Sequence, residues 1–515
     1  MNGAQKLLES LLQLGVDTCF TNPGTSEMQF VAALEREPRM RGVLALFEGV
    51  ATGAADGYAR IAGKPASTLL HLGPGLGNGF ANLHNARRAR VPIINIVGDH
   101  ATYHRAYDAP LTSDIEAVAA AVSSWVRTSR AAGEIASDIA DAFIAATTAP
   151  GSIATLVVPT DVAWGPAGGS QVPPVQVPVA AAPTKDAVAA IARILRAGEP
   201  AALLMNGAAL SAPGLALAGK VHAATGARLL SDFFITLKAR GAGRVDVTPV
   251  AYPVDQALQQ LADLRHIITI GTVAPVAFFA YPGFPSAMAP EQCRVHSLAA
   301  PGEDLVAALA ALVDALDADA VPVVAGDLVI APLPDGALTP EAIGGALAHL
   351  MPENAIVVNE AVSGAVPIPT LTRHARPHDW MDVTGGSVGG GLPLALGAAI
   401  AAPERRVIAL EGDGSAMYTM QALWSMVREG CNVSVVLFNN RGYSILRWEL
   451  GKIAPDGAGA RADAVLDLGN PDMDWVSIAT GLGMPACRAT SAGEFNTALA
   501  RSLATPGPTL IEAIL

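Results

Sequence analysis

Two short polar segments, each directly after an apolar run, carry the strongest chemical signal in the sequence. Gly-Asp-Gly-Ser at 412–415 follows a predicted strand at 406–410, and Asn-Asn at 439–440 follows a predicted strand at 433–438. The carboxyl ends of parallel strands meet at one sheet edge, where ligands usually bind. Carboxylate, amide and carbonyl oxygens suit Mg²⁺ shared with phosphate, and the glycines let backbone N–H groups at a helix start approach that phosphate. The pattern predicts a magnesium-dependent phosphate site.

Each of these segments taken alone has an ordinary structural explanation. Gly-Asp-Gly is a common turn between a strand and a helix, and Asn-Asn is a common loop, because short motifs recur freely. Here both occur in one chain, separated by the 24 residues 415–438, and both close a predicted strand. That combination favours a binding site over two unrelated turns.

The combined pattern resembles the diphosphate-binding signature of the thiamine diphosphate enzymes. The resemblance implies thiamine diphosphate and Mg²⁺ as cofactors. It implies that Asp413 and Asn440 bind the metal through their side chains and Gly442 through its carbonyl. The residues that it places against the diphosphate are Gly412, Gly414 and Ser415.

Motifs in the N-terminal third resemble the pyrimidine-binding domain of the same enzymes. They are Asn-Pro-Gly-Thr-Ser-Glu at 22–27, Leu-Phe-Glu at 46–48, Ala-Ala-Asp-Gly-Tyr-Ala at 54–59, and His71 followed by a glycine-rich stretch at 73–79. The resemblance implies that Glu48 is a buried catalytic residue that hydrogen-bonds the cofactor's aminopyrimidine ring. It also implies that His71 helps to protonate reaction intermediates. A glutamate is more often exposed on a helix, but the apolar run before Glu48 favours burial.

Two further segments resemble cofactor-contacting loops of the family. In the glycine-rich stretch 385–391, the resemblance makes Val388 the apolar wedge that bends the cofactor and gives the Gly386 carbonyl a hydrogen bond from the 4′-amino group. After the predicted strand 355–358, Val362 and Ser363 would line the diphosphate. Both segments are also compatible with plain turns.

The remaining chain explains how these motifs could be positioned. Apolar strand-like runs alternate with helix-length segments, which is the rhythm of α/β folds with parallel sheets. With about 100 to 200 residues per domain, 515 residues suggest three domains. Segments rich in Pro and Gly at 163–183 and 325–338 are the predicted connectors. We expect three doubly wound parallel-sheet domains: a pyrimidine-binding domain at 1–165, a middle domain at 184–323 and a diphosphate-binding domain at 339–515.

Within the family, the sequence is most similar to benzoylformate decarboxylase and the catalytic subunits of acetolactate synthase. His71 and Tyr-Ser-Ile-Leu-Arg-Trp at 443–448 favour a decarboxylase. However, the segment 274–281, where the decarboxylase has a second histidine, contains none, and Phe278 stands at the matching position. A phenyl ring cannot exchange a proton, which favours attack on a second carbonyl over aldehyde release. We therefore expect an acetolactate synthase-like enzyme that decarboxylates a 2-oxo acid and carries out carboligation.

Two alternatives remain open. One is a benzoylformate-type decarboxylase that releases an aldehyde. The other is a non-catalytic subunit of the same superfamily. A non-catalytic subunit is expected to lack Glu48, Asp413 or Asn440, and all three are present.

The resemblance also suggests a substrate pocket and argues against a flavin. By position, Thr25 would offer its hydroxyl group to the substrate carboxylate. Leu111, Ile445 and Leu446 would form the apolar wall of the pocket. Some acetolactate synthases bind FAD at the middle domain. We recognise no flavin motif in this sequence and do not expect FAD.

Charge and hydropathy limit the partners and the location that we expect. The net charge of −13 and the absence of a Lys/Arg-rich stripe argue against nucleic acid and anionic membranes. No apolar stretch reaches the ~20 residues that span a bilayer, and the N-terminus has no signal-peptide pattern. We expect a cytoplasmic protein. In the family, pyrimidine and diphosphate domains of different subunits face each other, which implies a homodimer at minimum, and we expect a homotetramer.

Overall fold

The computed structural model describes residues 1–169, 171–454, 457 and 459–515. Its internal contacts divide the chain into two compact units. The first unit comprises residues 1–177, 331–371 and 383–515, and the second comprises residues 178–330 and 372–382.

The N-terminal part of the first unit contains a six-stranded, fully parallel sheet in the order β2-β1-β3-β4-β6-β5. The strands are β1 Thr18–Thr21, β2 Arg41–Leu44, β3 Ala66–Leu70, β4 Ile93–Asp99, β5 Trp125–Thr128 and β6 Ile153–Pro159. The helices are α1 Gly3–Gln13, α2 Met28–Leu34, α3 Glu48–Ala62, α4 Leu72–Ala89, α5 Ile115–Ala120, α6 Ile135–Thr147 and α7 Thr160–Trp164. Five of the six strands coincide within a few residues with the strand-like apolar runs of the sequence at 16–21, 42–46, 66–71, 93–97 and 153–158. The exception is β5, an edge strand that is only partly buried.

The second unit has a parallel sheet of its own in the order β10-β8-β7-β11-β12. Its elements, in chain order, are α8 Lys185–Arg196, β7 Ala201–Met205, α9 Ala212–Thr225, β8 Arg228–Ser231, β9 Lys238–Arg240, β10 Thr248–Pro249, α10 Val254–Leu261, β11 His266–Ile270, β12 Arg294–Ala299 and α11 Leu305–Ala315. Its core is formed by apolar residues of β7, β8, β11 and α10. It also contains β9, which pairs antiparallel with a later strand.

The C-terminal third begins with a capped helix. The Thr339 hydroxyl caps the first helix by accepting from the Ala342 N–H at 3.2 Å, and Pro340 opens the helix. The elements are α12 Pro340–Leu350, β13 Ala355–Glu360, α13 Ile368–Leu371, β14 His378–Asp382, α14 Gly391–Ala401, β15 Val407–Gly412, α15 Asp413–Thr419, α16 Gln421–Arg428, β16 Val433–Asn439, α17 Ser444–Ile453, α18 Ala460–Ala464, α19 Trp475–Gly481, β17 Ala486–Ala489, α20 Ala492–Ala504 and β18 Thr509–Ile514.

Five of these strands form a parallel sheet in the first unit, in the order β17-β18-β16-β15-β13. The neighbours β13, β15 and β16 end at Glu360, Gly412 and Asn439, so the predicted metal-binding segments leave the same sheet edge. The predicted α/β class with three parallel-dominated sheets is confirmed.

Helices α3 and α14 pack closely within the first unit. A side chain at Gly57 would collide with the backbone of Leu394, and one at Gly397 would collide with the backbone of Ala54. Close helix packing of this kind needs small residues, because interiors have almost no free volume. The contact joins the helix that begins at Glu48 to the helix that follows the glycine-rich stretch 385–391.

One buried histidine in the second unit makes the stability of the fold depend on pH. His378 on β14 is 3% exposed, and its Nδ1 donates to the Arg376 carbonyl at 2.8 Å. Burial, together with the positive charge of Arg240, lowers the pKa of His378 from 6.5 to about 4. The folded chain therefore excludes a proton that the unfolded chain accepts between those pH values.

We expect protonation of His378 to leave the free energy of unfolding unchanged above pH 6.5 and to lower it progressively as the pH falls to about 4. The loss should reach about 3 kcal/mol of unfolding free energy. In denaturant titrations across this range, His378→Phe should give a flatter pH dependence than the wild type, and the two curves should run parallel above pH 7. Burial lowers the pKa of Lys238 to about 7, so its titration changes the free energy of unfolding only above the pH range in which His378 acts. Identical slopes below pH 6.5 would contradict this account.

Within the described residues, no helix has both the length and the apolar composition needed to cross a membrane.

Candidate functional site

The two predicted metal-binding segments contact each other. Asp413 opens α15, where its Oδ1 accepts from the Gly414 N–H at 2.9 Å and its Oδ2 accepts from the Arg441 N–H at 2.8 Å. In the second loop, the Asn440 Oδ1 accepts from the Gly442 N–H at 3.1 Å. The carboxylate thus ties the loop after β15 to the loop after β16, as expected for neighbouring parallel strands.

The donor set at this edge is hard and oxygen-rich. Asp413 is 2% exposed, and burial raises the pKa of its carboxyl against the opposing effect of backbone N–H groups. Ser415 is buried one turn along the helix. The Gly442 carbonyl accepts from the Ser444 N–H at 2.9 Å and keeps a second lone pair. These groups fit Mg²⁺ bound together with phosphate better than a softer metal.

The described residues contain no group of three or more His, Cys, Asp or Glu side chains that could hold a metal. An ion at Asp413 must therefore take its other ligands from amide and carbonyl oxygens, from water or from a bound phosphate. That requirement matches the predicted set of Asp413, Asn440 and Gly442.

The glycine-rich stretch 385–391 lies against the same part of the sheet. Gly386 and Gly389 adopt left-handed conformations with φ of +69° and +97°, which favour glycine. Val388 between them is 37% exposed. The Gly389 carbonyl accepts from the Thr419 hydroxyl at 2.9 Å, which attaches this stretch to α15.

Two buried glutamates contact or neighbour this stretch: Glu360, part of the segment 359–363 that the resemblance places along the diphosphate, and Glu411, which was not singled out from the sequence. Glu360 and Glu411 stand opposite each other on β13 and β15. The Glu360 carboxylate accepts from the N–H groups of Gly389, Gly390 and Gly391 at 2.9, 3.2 and 2.7 Å. Burial and the neighbouring Glu360 raise the pKa of Glu411 well above 4.5. Glu360 therefore anchors the start of α14 through three backbone donors.

The remaining residues predicted for this half surround the same edge. Val362 is exposed in the turn after β13 with φ of +46°, and Ser363 beside it is partly buried. At the start of α17, Ile445 is partly buried and Leu446 is exposed. None of the residues of α17 is buried. This helix therefore presents apolar side chains that the described part of the chain leaves uncovered.

Glu48 lies in the other half of the predicted site. It is the first residue of α3 and is 6% exposed, so the predicted burial is confirmed. Its Oε2 accepts from the Asn78 side-chain amide at 3.0 Å. A Cβ at Gly75 would come within 3.2 Å of both Glu48 and His71. The glycine allows these two side chains to approach each other.

His71 belongs to a hydrogen-bonded network that sequence reasoning missed. Its Nδ1 lies 2.8 Å from the buried carboxylate of Glu27 and 3.1 Å from the Ser26 hydroxyl. A carboxylate can only accept, so the short contact places a proton on Nδ1 and leaves Nε2 as the free ring atom. The signal was present, because Glu27 closes the quoted motif 22–27, but its distance of 44 residues from His71 hid the contact.

Two predicted substrate residues lie near this histidine. Thr25 is exposed and follows Gly24, where any side chain would collide with the His71 ring. Leu111 is exposed in a loop whose Ser113 packs on Gly73. The structure therefore places Thr25 and the loop of Leu111 close to the segment that contains His71.

Hydrogen bonds and helix packing join the two halves through other residues, for example the hydrogen bond from Asn82 Nδ2 to the Gly389 carbonyl at 3.2 Å. In the described part of the chain, no hydrogen bond or ion pair links Glu48 or His71 to Asp413, Ser415 or Asn440.

Phe278, predicted in place of a second histidine, belongs to an aromatic cluster of the second unit. Its ring centroid lies 5.6 Å from those of Phe234 and Tyr252 and 4.8 Å from that of Phe279. Phe278 and Phe279 remain exposed. The cluster offers an apolar surface without a histidine.

Comparison with known proteins identifies both halves. The family described as "Thiamine pyrophosphate enzyme, N-terminal TPP binding domain" matches residues 1–120, and the corresponding "C-terminal TPP binding domain" matches residues 365–513. Thiamine pyrophosphate is the same compound as thiamine diphosphate. The first match contains Glu48 and His71, and the second contains Asp413 and Asn440.

Individual relatives cover the whole chain. A Mycobacterium tuberculosis protein, provisionally named as the acetolactate synthase large subunit IlvX, is 52% identical over all of this chain and 99% of its own length. Benzoylformate decarboxylase of Pseudomonas aeruginosa is 30% identical over 98% of this chain and 97% of its own. A thiamine diphosphate-dependent 4-hydroxybenzoylformate decarboxylase of Rhodococcus jostii RHA1 superimposes with a TM-score of 0.86 at 25% identity, over 99% and 98% of the two chains. The chain therefore belongs to the thiamine diphosphate enzymes, of the acetolactate synthase and benzoylformate decarboxylase type.

Proposed function

We propose that this enzyme uses thiamine diphosphate and Mg²⁺ to decarboxylate a 2-oxo acid and joins the remaining acyl unit to a second carbonyl compound. The observation that carries the cofactor assignment is the Asp413 carboxylate, which bridges two loops at the carboxyl edge of a parallel sheet. The relatives named as acetolactate synthase and benzoylformate decarboxylase support the reaction class.

The residues present fit the cofactor. Asp413, Asn440 and the Gly442 carbonyl would hold Mg²⁺, with Ser415 and the backbone of Gly412 and Gly414 facing the diphosphate. When bound, thiamine diphosphate supplies a nucleophilic carbon for the ketone and an electron sink for the loss of CO₂.

The protein supports that chemistry mainly by placing hydrogen bonds. Glu48, buried and fixed by Asn78, would accept a hydrogen bond from the aminopyrimidine ring. Gly386 and Val388 would contact the same end of the cofactor, and Val362 and Ser363 would line its diphosphate. Water is excluded from Glu48 by the surrounding helices α3 and α4.

One proton must be supplied in either possible reaction. Aldehyde release consumes a 2-oxo acid anion and a proton and gives an aldehyde and CO₂. Ligation consumes the 2-oxo acid anion, a proton and an acceptor aldehyde or ketone, and gives a hydroxy ketone and CO₂. Glu27 orients His71 so that its Nε2 is free for this transfer. The exposed Thr25 hydroxyl is suited to bind the substrate carboxylate, and Leu111, Ile445 and Leu446 supply apolar contacts.

The fate of the acyl unit separates the two candidate reactions. By resemblance, Phe278 stands where the decarboxylase has a second histidine that exchanges protons, and the absence of that histidine supports ligation. The intact Glu27–His71 network is the specific observation that favours the second candidate, an aldehyde-releasing decarboxylase. FAD is not part of this proposal.

Product analysis tests the proposal. The protein supplied with thiamine diphosphate and Mg²⁺ is incubated with pyruvate and, separately, with benzoylformate, and the products are identified by mass spectrometry. Acetolactate from pyruvate supports ligation, and benzaldehyde from benzoylformate supports the second candidate. Failure to release CO₂ from a broader panel of 2-oxo acids would contradict both.

We also propose that the active enzyme is at least a homodimer, and that it is a homotetramer, because in the described part of one chain Glu48 and His71 make no direct polar contact with Asp413 or Asn440. Apolar side chains of α17 are available for such an interface. We propose that the enzyme has no nucleic-acid or membrane partners, because its net charge of −13 repels phosphate backbones and anionic lipids.

Mixed oligomers test this arrangement directly. Glu48→Gln and Asp413→Ala chains carrying different tags are co-expressed, and oligomers containing both are isolated by two affinity steps. If each site uses Glu48 from one chain and Asp413 from the other, a mixed dimer has one intact site and should regain about half of the wild-type activity. If the mixed oligomers are as inactive as each variant alone, Glu48 and Asp413 of the same chain form one site.

A further inference from the structure

Three asparagines lie on one face of α4, the helix that follows His71. Asn78, Asn82 and Asn85 have the i, i+4, i+7 spacing that aligns side chains along a helix. Asn82 is 3% exposed and Asn85 is 1% exposed. Buried amides are costly unless they are hydrogen-bonded, so their partners show what these residues do.

Asn82 joins α3 to the glycine-rich stretch 385–391. Its Nδ2 donates to the Gly49 carbonyl at 2.8 Å and to the Gly389 carbonyl at 3.2 Å. Its Oδ1 accepts from the Asn85 Nδ2 at 3.0 Å. One side chain therefore connects the residue after Glu48 with the left-handed glycine after Val388.

Asn85 holds the residue on the other side of Val388. Its Nδ2 donates to the Ser387 carbonyl at 2.8 Å, and its Oδ1 accepts from the Ser387 N–H at 3.1 Å. Its own carbonyl accepts from the Thr384 hydroxyl at 2.8 Å. Ser387 is thus fixed through both of its backbone polar groups, as a residue in a sheet would be.

We propose that Asn82 and Asn85 are positioning residues that hold the stretch 385–391 in the conformation that receives the pyrimidine end of the cofactor. This inference rests on the proposed binding of thiamine diphosphate. It assigns to a helix of the N-terminal domain a role in shaping the cofactor contact made by the C-terminal domain of the same chain.

The stretch needs support from both sides. Residues 385–390 have no regular secondary structure, and the left-handed glycines among them have many alternative conformations. Glu360 holds the N–H groups of residues 389–391 from one side, and the two asparagines hold Ser387 and the Gly389 carbonyl from the other. A binding loop that is fixed in advance loses less entropy when its ligand arrives, which raises affinity.

The chemistry requires an amide at position 82. The Asn82 side chain donates to the Gly49 and Gly389 carbonyls and accepts from Asn85, and only an amide provides both functions in this shape. Aspartate has the same shape but no donor when ionised, so Asn82→Asp places a charge against two carbonyls. Asn82→Ala removes the contacts without adding a charge.

Calorimetric titration with thiamine diphosphate and Mg²⁺ tests the proposal on the intact protein. We expect Asn82→Ala and Asn85→Ala to raise the dissociation constant about 10- to 100-fold, and Asn82→Asp to raise it at least as much. At saturating cofactor, the near-ultraviolet circular dichroism of the bound aminopyrimidine should weaken or change sign. Arg88→Ala, a substitution of an exposed residue on the same helix, should leave the dissociation constant and the circular dichroism unchanged.

The outcomes separate positioning from simple stabilisation. Folding is checked by thermal unfolding without cofactor, and Asn82→Ser replaces any variant that fails to fold. Variants that unfold at a lower temperature but keep the wild-type dissociation constant and dichroism would overturn the proposal. If the wild-type protein binds no thiamine diphosphate, the proposed function is refuted. If only the Asn82 and Asn85 variants bind it weakly, the inference about these two residues is supported.

Discussion

Replacing Glu48 with glutamine is expected to lower kcat by about 10²- to 10⁴-fold while thiamine diphosphate still binds. Glutamine keeps the shape of the side chain. Its amide oxygen can still accept the hydrogen bond that Asn78 donates to Glu48 at 3.0 Å in the wild type. It cannot supply the carboxylate that we propose for the aminopyrimidine ring. The loss should therefore appear in the chemical step and only weakly in cofactor affinity.

Hydrogen–deuterium exchange at the reactive carbon of the cofactor provides a readout that does not depend on turnover. Acid-quenched samples analysed by NMR should show exchange slowed by a similar factor in Glu48→Gln. Glu35→Gln, an exposed substitution at the end of α2, is the matched control and should exchange like the wild type. Unchanged exchange in Glu48→Gln would remove Glu48 from the catalytic role.

Replacing Asp413 with alanine is expected to raise the dissociation constant of thiamine diphosphate at least about 100-fold in the presence of Mg²⁺. Even residues that act behind a metal ligand typically change affinity 10- to 100-fold, and Asp413 is proposed as a direct ligand. The substitution also breaks the bridge to the Arg441 N–H that joins the two loops.

Asp472→Ala provides the control for this variant. Asp472 is exposed and faces the Arg441 side chain at 3.7 Å, so it is a carboxylate beside the same loop but outside the proposed ligand set. Exposed ion pairs contribute little, and binding should change by less than about twofold. Equal effects of the two substitutions would indicate general electrostatics instead of coordination.

The sequence predicted those parts of the structure that depend on local patterns. Continuous apolar runs such as 93–97 and 433–438 marked the central strands, because strands buried on both faces must be apolar throughout. The edge strands β5 and β12 were missed, because exposed edges contain polar residues such as Arg127 and His296. The boundaries that the sequence suggests between the three domains remain a prediction.

The site divides in the same way. Asp413 and Asn440 could be identified because each directly follows a strand, so a one-dimensional pattern fixes their place at the sheet edge. The Glu27–His71 and Asn82–Gly389 contacts join residues 44 and 307 positions apart, and no spacing rule connects them. Such contacts follow from tertiary packing, which a single sequence does not reveal.

The most direct measurement of the central claim is a calorimetric titration of the wild-type protein with thiamine diphosphate, once with Mg²⁺ and once with EDTA. We predict saturable binding of one cofactor per chain with Mg²⁺ and loss of that binding with EDTA, because the proposed oxygen ligands act through a divalent ion. No uptake in the presence of Mg²⁺, or the same affinity after removal of the metal, would contradict the account.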